Sequence, residues 1–249
     1  MLKIIVHGLG RLGQTVCKIA AESSEYKIVA GIDSAPKAHF GFPVYASLSE
    51  CVQDADVVVD CSVASAVSNL VSCAYAKKIP VVICTTALDD EIHQAIRNAS
   101  AHIPIFLSAN MALGVNLMSK ISQIAAKVLS EAGFDIEIIE KHHNGKIDAP
   151  SGTANMLANE IVRTLGGGDL VHDRSGRRHK RQQGEIGMHS IRGGSIPGEH
   201  TILFAGEGET LEIKHTALSG EVFARGVLRA AKFVATKPAG LYGMDDLLK

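Results

Sequence analysis

Hydrophobic and polar positions recur with two different periods along this chain, and the beat changes near its middle. Lys3-Ile4-Ile5-Val6 is a short apolar run of the buried-strand kind, after which Leu12, Val16, Ile19 and Ala20 return at helical spacing. The alternation continues with strands expected at 27–32, 56–60, 80–84 and 103–108 and helices at 64–77 and 89–98. Strands alternating with helices predict a parallel, doubly wound sheet that receives ligands at the carboxyl ends of its strands. Beyond it, Leu113, Leu117, Ile121, Ile124 and Val128 form a stripe that predicts a helix over about 113–131. A strand follows at 134–139. Ala154, Leu157, Ala158, Ile161, Val162 and Leu165 then mark a helix over 154–165, ended by Gly166-Gly167-Gly168. Three strands, 185–190, 200–205 and 210–216, come next without helices between them, the last two joined by a Gly206–Glu209 hairpin turn. This predicts a second domain with a mixed or antiparallel sheet. A final helix carrying Val222, Phe223, Gly226, Val227, Ala230, Phe233 and Val234 is expected to return to the first domain. The expected division is therefore 1–112 with 217–249, and 113–216.

A length of 249 residues is enough for one large or two modest cores. With 46% hydrophobic and 20% charged residues the chain is of globular type, and a net charge of −1 gives no general attraction to nucleic acid or anionic membrane. No apolar run approaches the roughly 20 residues of a membrane span, and Ile4-Ile5-Val6 is too short for a signal-peptide core. Five cysteines (17, 51, 61, 73 and 84) form no CxxC pair and lie in apolar surroundings. They are expected to be reduced thiols in a cytoplasmic protein, not zinc ligands.

Gly8-Leu9-Gly10-Arg11-Leu12-Gly13 stands between the first strand and the first helix, the context a dinucleotide fingerprint requires. Gly8 permits a tight turn, Gly10 lets the backbone approach a pyrophosphate and Gly13 allows close packing of helix on strand. The second strand ends at Asp33, 20 residues after Gly13, where a carboxylate can accept hydrogen bonds from a ribose. Together these predict a Rossmann nucleotide site. Asp33 favours NADH, but Arg11 and Lys37 can each neutralise a 2′-phosphate, so NADH and NADPH both stay open. Segments after later strands, Cys61-Ser62-Val63, Cys84-Thr85-Thr86 and Ser108-Ala109-Asn110-Met111, are candidates to touch the nicotinamide half.

The densest chemistry lies in residues 140–157. A strand runs into His142, His143 and Lys146; Pro150 brakes the chain, and Ser151-Gly152-Thr153 opens a helix. Helix starts carry unpaired N–H groups and a partial positive charge, so a carboxylate or phosphate is welcome there. With Lys146 and two histidines nearby, the segment has the makings of a receptor for an anionic substrate with a proton donor beside it. Metal binding by His142 and His143 is disfavoured, because neighbouring side chains on a strand diverge and no further ligand pattern completes a site. The basic run within 173–183 (Arg174, Arg177, Arg178, Lys180, Arg181) is expected to be a solvated loop, with a lid over an acidic ligand as the sharper reading.

Glu140-Lys141-His142-His143, Lys146 and Asp148-Ala149-Pro150-Ser151-Gly152-Thr153-Ala154 resemble the dihydrodipicolinate reductase family. The resemblance spans nearly the whole chain, through Val6–Gly13, Ser108-Ala109-Asn110, Gly114-Val115-Asn116, Arg225-Gly226 and Ala230-Ala231. It implies an N-terminal Rossmann domain, a C-terminal α+β mixed-sheet domain for substrate binding and oligomerisation, a homotetramer, and NADH or NADPH as hydride donor. It makes His142 the general acid with Lys146 assisting, and gives His143, Lys146, Ser151, Gly152 and Thr153 the carboxylates of a cyclic dicarboxylic imine. Two departures stand out: Cys84-Thr85-Thr86-Ala87 replaces the family's Gly-Thr-Thr-Gly, and Asn144-Gly145 lacks the basic residues many members have there. A different dehydrogenase of amino or semialdehyde acids, and a non-catalytic nucleotide sensor, are the alternatives. The sensor leaves the His-His-Lys cluster without a purpose.

Overall fold

A computed structural model describes residues 1–35, 40–172, 174–176 and 179–249. Lys37, Asp173, Arg177 and Arg178, on which expectations were placed, lie outside the described residues. The chain divides into two units, Met1–Leu113 with Glu221–Lys249, and Gly114–Gly220.

The first unit begins β1 (Leu2–His7), α1 (Arg11–Ala21), β2 (Tyr26–Ile32), β3 (Val44–Tyr45), β4 (Val57–Asp60), α2 (Ala64–Lys77), β5 (Val81–Ile83), α3 (Asp90–Ser100) and β6 (Pro104–Leu107). These strands are parallel and lie in the order β6-β5-β4-β1-β2-β3. Runs such as Val57-Val58-Val59 are apolar throughout because the sheet is covered on both faces. Ile4, Val6, Val57, Val59, Val82 and Phe106 face one core, while Ile5, Val58, Val81, Ile83 and Ile105 face the other with residues of α2 and α3. Each fully buried aliphatic side chain contributes about 1.5–3 kcal/mol, which lets strands of three or four residues hold the centre. The order reverses between β1 and β4, and such a switch point opens a ligand crevice at the strands' carboxyl ends.

The second unit holds α4 (Leu113–Glu131, whose first residue belongs to the first unit), β7 (Asp135–His142), α5 (Gly152–Leu165), β8 (Asp169–Val171), β9 (Glu185–Arg192), β10 (Glu199–Ala205) and β11 (Thr210–Thr216). Its sheet is mixed, ordered β11-β10-β7-β9-β8, with β10 antiparallel to β7 and β11, and β9 parallel to β7 and β8. One face packs Ile136, Ile138, Ile186, Met188, Ile202 and Phe204 against Met118 and Ala126 of α4 and Ala154, Leu157, Ala158 and Ile161 of α5. The opposite face is charged. Arg181 there binds Asp135 at 2.5 Å and Glu137 at 3.0 Å, Arg174 binds Glu185 at 2.8 Å, and His189 binds Glu137 at 2.7 Å. The expected solvated loop is thus corrected for Arg174 and Arg181: carboxylates of β7 and β9 on one sheet face hold both guanidinium groups. The α4 stripe also turns out differently from a core-facing one. Leu117, Ile121, Ile124 and Val128 are exposed, and the buried positions are Val115, Met118, Ser119, Ser122 and Ala126.

The chain then returns to the first unit with α6 (Glu221–Val234), β12 (Gly240–Tyr242) and α7 (Met244–Leu247). Ala224, Val227, Leu228, Ala230, Ala231 and Val234 of α6 join the core on the α1 side, and β12 extends the parallel sheet beside β6. The short elements β3, β8, β12 and α7 are too brief to show a period in sequence. Among the described residues, no helix is long and apolar enough to cross a membrane.

Candidate active site

In the first unit, β1 ends at His7 and Gly8 turns the chain with φ of +84°. A Cβ on Gly8 would lie 2.7 Å from the Cys61 carbonyl oxygen, and one on Gly13 would lie 2.0 Å from the Gly8 carbonyl oxygen. A side chain at Gly8 would collide with the backbone that follows β4, and one at Gly13 would drive α1 off the turn after β1. Among the described residues, a Cβ at Gly10 would meet nothing within 4 Å, so the backbone there is open to a ligand's approach. Gly10 is also the N-cap of α1 and supplies no side-chain cap, leaving first-turn N–H groups for an anion. Leu9 and Leu12 turn their side chains toward the core, while Arg11 is exposed. The Asp33 carboxylate accepts the Leu9 N–H at 2.8 Å and the Ala35 N–H at 2.9 Å, fixing β2 to the glycine loop. These features fit a dinucleotide.

Behind the loop lies Asp60, fully buried at the end of β4. It accepts hydrogen bonds from Ser62 Oγ at 2.5 Å and Thr85 Oγ1 at 2.6 Å and pairs with His7 Nδ1 at 2.8 Å, tying together the ends of β1, β4 and β5. Thr85 is therefore committed to the protein, while Thr86 is exposed. The Cys61 side chain, burial and the Asp60 charge hold the Cys84 thiol well above its ordinary value, and burial pushes Cys17 up to about 12. Both are neutral thiols, and all five cysteines are free. Ala87 adopts φ of +57°, so the chain keeps the left-handed backbone that a glycine favours although its side chain departs from the family pattern. Ser108 Oγ donates to the Asn110 carbonyl at 2.8 Å and Ala109 is exposed. The Met111 side chain is core, buried with residues of α6, so any contact it offers a cofactor is through backbone.

In the second unit, β7 continues three residues past the expected end, to His142. Alternation along the strand then places Glu140 and His142 on the same face as Ile136 and Ile138. Both are buried. Register sets Ser190 and His200 opposite Glu140, and Arg192 opposite His142. Arg192 grips the Glu140 carboxylate with both terminal nitrogens, at 2.8 and 2.7 Å, Ser151 N–H donates to it at 3.1 Å, and His142 Nδ1 lies 2.6 Å away. Burial pushes the Glu140 carboxyl up, but hydrogen bonds from Arg192, His142, Ser190 and Ser151 outweigh it and hold the group at about 2. Glu140 is thus ionised and can only accept, so His142 Nδ1 carries the shared proton and Nε2 is the nitrogen left to act. Gly198, at φ of +156°, keeps that side clear: a Cβ there would press to 3.2 Å from Nε2.

His200 lies edge-on to His142, ring centroids 5.2 Å apart, with its Nε2 3.1 Å from Ser151 Oγ. Burial and then the neighbouring His142 push its pKa down to about 4, so it is neutral near pH 7. Ser151 caps α5, its hydroxyl accepting the Ala154 N–H at 3.1 Å. Ser151 is itself buried, its N–H and hydroxyl bonded within the protein, and it holds the helix start in place. Gly152 is exposed and Thr153 half-buried at that helix start. Lys146 follows on a turn, its N–H bonded to the His143 carbonyl, and its ammonium pairs with Asp148 at 2.8 Å. The Lys146 hydrogen bond, aided by the Gly152 N–H, lowers the Asp148 carboxyl below its ordinary value. A carboxylate of the chain itself therefore sits between Lys146 and the start of α5. Among the described residues no cluster of three or more His, Cys, Asp or Glu can hold a metal ion.

Comparison with known proteins decides the family. The pattern described as dihydrodipicolinate reductase, N-terminus, matches residues 2–111, and that of the C-terminus matches residues 114–248. The chain belongs to the dihydrodipicolinate reductase family. It is 48% identical to the 4-hydroxy-tetrahydrodipicolinate reductase of Caldanaerobacter subterraneus subsp. tengcongensis, covering 100% of this chain and 99% of that protein. Identity to the reductase of the same name from Clostridium novyi is 44%, with coverage of 100% and 99%. A solved dipicolinate-bound dihydrodipicolinate reductase from Paenisporosarcina sp. TG-14 superposes with a TM-score of 0.84 at 26% identity, covering 99% of both chains. The scyllo-inositol dehydrogenase of Lactobacillus casei shares the fold at a TM-score of 0.58 and 16% identity, over 100% of this chain and 93% of that one. The chain is an NAD(P)H-dependent oxidoreductase, and its first unit is the NAD(P)-binding Rossmann domain of the family.

Sequence reasoning singled out His142, His143, Lys146 and the α5 start, and the structure assembles His142 with Ser151. It missed Arg192 and His200, each about 50 residues away in sequence. Glu140 was within reach: a carboxylate two residues before His142 on a strand must share its face.

Proposed function

We propose that the second unit binds 4-hydroxy-tetrahydrodipicolinate and reduces it to tetrahydrodipicolinate in lysine and diaminopimelate biosynthesis, with His142 as the general acid. The observation that supports this most directly is the orientation of His142, whose Nδ1 is committed to an ionised Glu140 and whose Nε2 is left to deliver a proton. Lys146, His143, Gly152 and Thr153 receive the substrate's carboxylates: a cation and the start of a helix are what such groups seek. Asp148, now paired with Lys146, marks the kind of group that position accepts. Ser151 serves the same end by holding the helix start. Bound through Gly8–Gly13, Asp33 and the segments at Cys84–Thr86 and Ser108–Met111, the nicotinamide cofactor supplies a hydride. The protein's part is to hold the acceptor carbon, neutralise the carboxylates and place a proton at His142 Nε2.

We also propose a homotetramer working in the cytoplasm. Four exposed apolar residues on one stripe of α4 support a second copy as their cover, and five free thiols suit a reducing compartment.

The test is loss of nicotinamide absorbance with substrate generated in place by a dihydrodipicolinate synthase, NADH and NADPH in parallel. Rapid, synthase-dependent oxidation is expected, and the ratio of rates assigns the cofactor. His142→Gln should lower kcat about 100-fold or more with cofactor affinity unchanged. A variant as fast as the parent would remove His142 from the role.

A further inference from the structure

We propose that Glu140 is a positioning residue that sets the acid and the anion site in register. This rests on His142 being the proton donor. The argument is one of connectivity. A single buried carboxylate fixes three pieces that come from separate stretches of chain. Through Oε2 it holds His142 Nδ1 at 2.6 Å, and through Oε1 it holds the Ser151 N–H, the residue that caps α5. Arg192, gripped by both oxygens, reaches on to donate to the Asp148 carbonyl at 2.5 Å, within the turn that carries Lys146. The acid, the helix start and the Lys146 turn are thereby referred to one point.

A structural role alone would not need this arrangement. The position continues the apolar series Ile136, Ile138 on a face packed against α5, and an isoleucine there would satisfy the core without desolvating a charge. A carboxylate at that point fixes the ring tautomer and directs Nε2 outward, which an apolar residue cannot do. Ser190, His200 and Arg192 are the remaining polar side chains that register brings to the Glu140–His142 face, and of these Arg192 carries the neutralising charge. Both side-chain oxygens of Glu140 are hydrogen-bonded.

The experiment is a double-mutant cycle on kcat with a spectroscopic readout. Glu140→Gln in the otherwise unaltered enzyme should lower kcat about 10- to 100-fold, leave cofactor affinity unchanged and raise substrate KM several-fold. Glu140→Asp, which keeps the charge at shorter reach, should recover part of the loss. In a His142→Gln background the same change should alter kcat less than about 3-fold, since there is no acid left to orient. Nitrogen-15 spectra of the imidazole should show His142 protonated at Nδ1 in the parent and a mixed tautomer population in Glu140→Gln. Because the lone change leaves Arg192 facing an amide, Glu140→Gln combined with Arg192→Met provides a neutral version if the single variant folds poorly. An equal fall in kcat in both backgrounds, or an unchanged tautomer, overturns the proposal. If His142→Gln alone keeps full activity, the acid assignment fails instead, and the tautomer measurement still decides whether Glu140 orients the ring.

Discussion

Two buried carboxylates organise the two halves of this enzyme, and they are balanced differently. Asp60 in the first unit gathers two hydroxyls and an imidazole from the ends of three strands, with no lysine or arginine among its hydrogen-bond partners in the described residues. Glu140 in the second unit faces a guanidinium that binds both of its oxygens. The Asp60 arrangement ties loops together under a nucleotide site, where fixed polar contacts suffice. The Glu140 arrangement keeps an ionised acceptor against the His142 ring, and a permanent cation does that. A buried charge costs less when its partner is fully ionised and bidentate.

The largest effect expected on stability comes from removing that cation. Arg192→Met leaves Glu140 charged and uncompensated, and should cost about 3–5 kcal/mol in denaturant unfolding. A loss below 1 kcal/mol would mean the two carboxylates are held alike. Next comes acid sensitivity. His200 is held at about 4 in the fold against an ordinary 6.5, so the unfolded chain takes up a proton before the folded one does. Stability is then complete above pH 6.5 and falls as pH drops toward 4, by about 3 kcal/mol in all. Glu140, held at about 2 against 4.5, contributes stability that is present above 4.5 and lost as pH falls toward 2. His200→Gln should flatten the first slope and leave the second; an unchanged curve between 6.5 and 4 would reject the assignment.

On the Asp60 side the effects are smaller. Thr85→Val removes one donor from a carboxylate that keeps its others, and about 1–2 kcal/mol of stability should be lost. Cofactor titration should weaken while kcat at saturation holds, the reverse of the pattern expected at Glu140. Ala87→Gly is the mildest change. With φ at +57° the alanine bears a left-handed backbone, so glycine should be neutral or stabilising by up to about 1 kcal/mol by thermal unfolding. Measurable destabilisation would show the methyl group to be packed.

Local pattern determined much of this protein. The strand–helix beat and Gly8–Gly13 predicted the parallel sheet and nucleotide turn because periodicity and the sterics of a glycine act over a few residues. The change of beat near 113 announced the mixed-sheet unit, and the run from His142 to Thr153 marked out the candidate site. Tertiary structure decided the rest. Whether the α4 stripe is buried depends on which side meets the sheet, and the core took Met118 and Ala126 instead. The contacts of Ser151 with Glu140 and His200 exist only in the folded chain. Arg192 and His200 reach Glu140 only through strand register, which neighbouring residues do not encode. What a short stretch could do was written in that stretch; the guanidinium that keeps Glu140 ionised against His142 came from about 50 positions away.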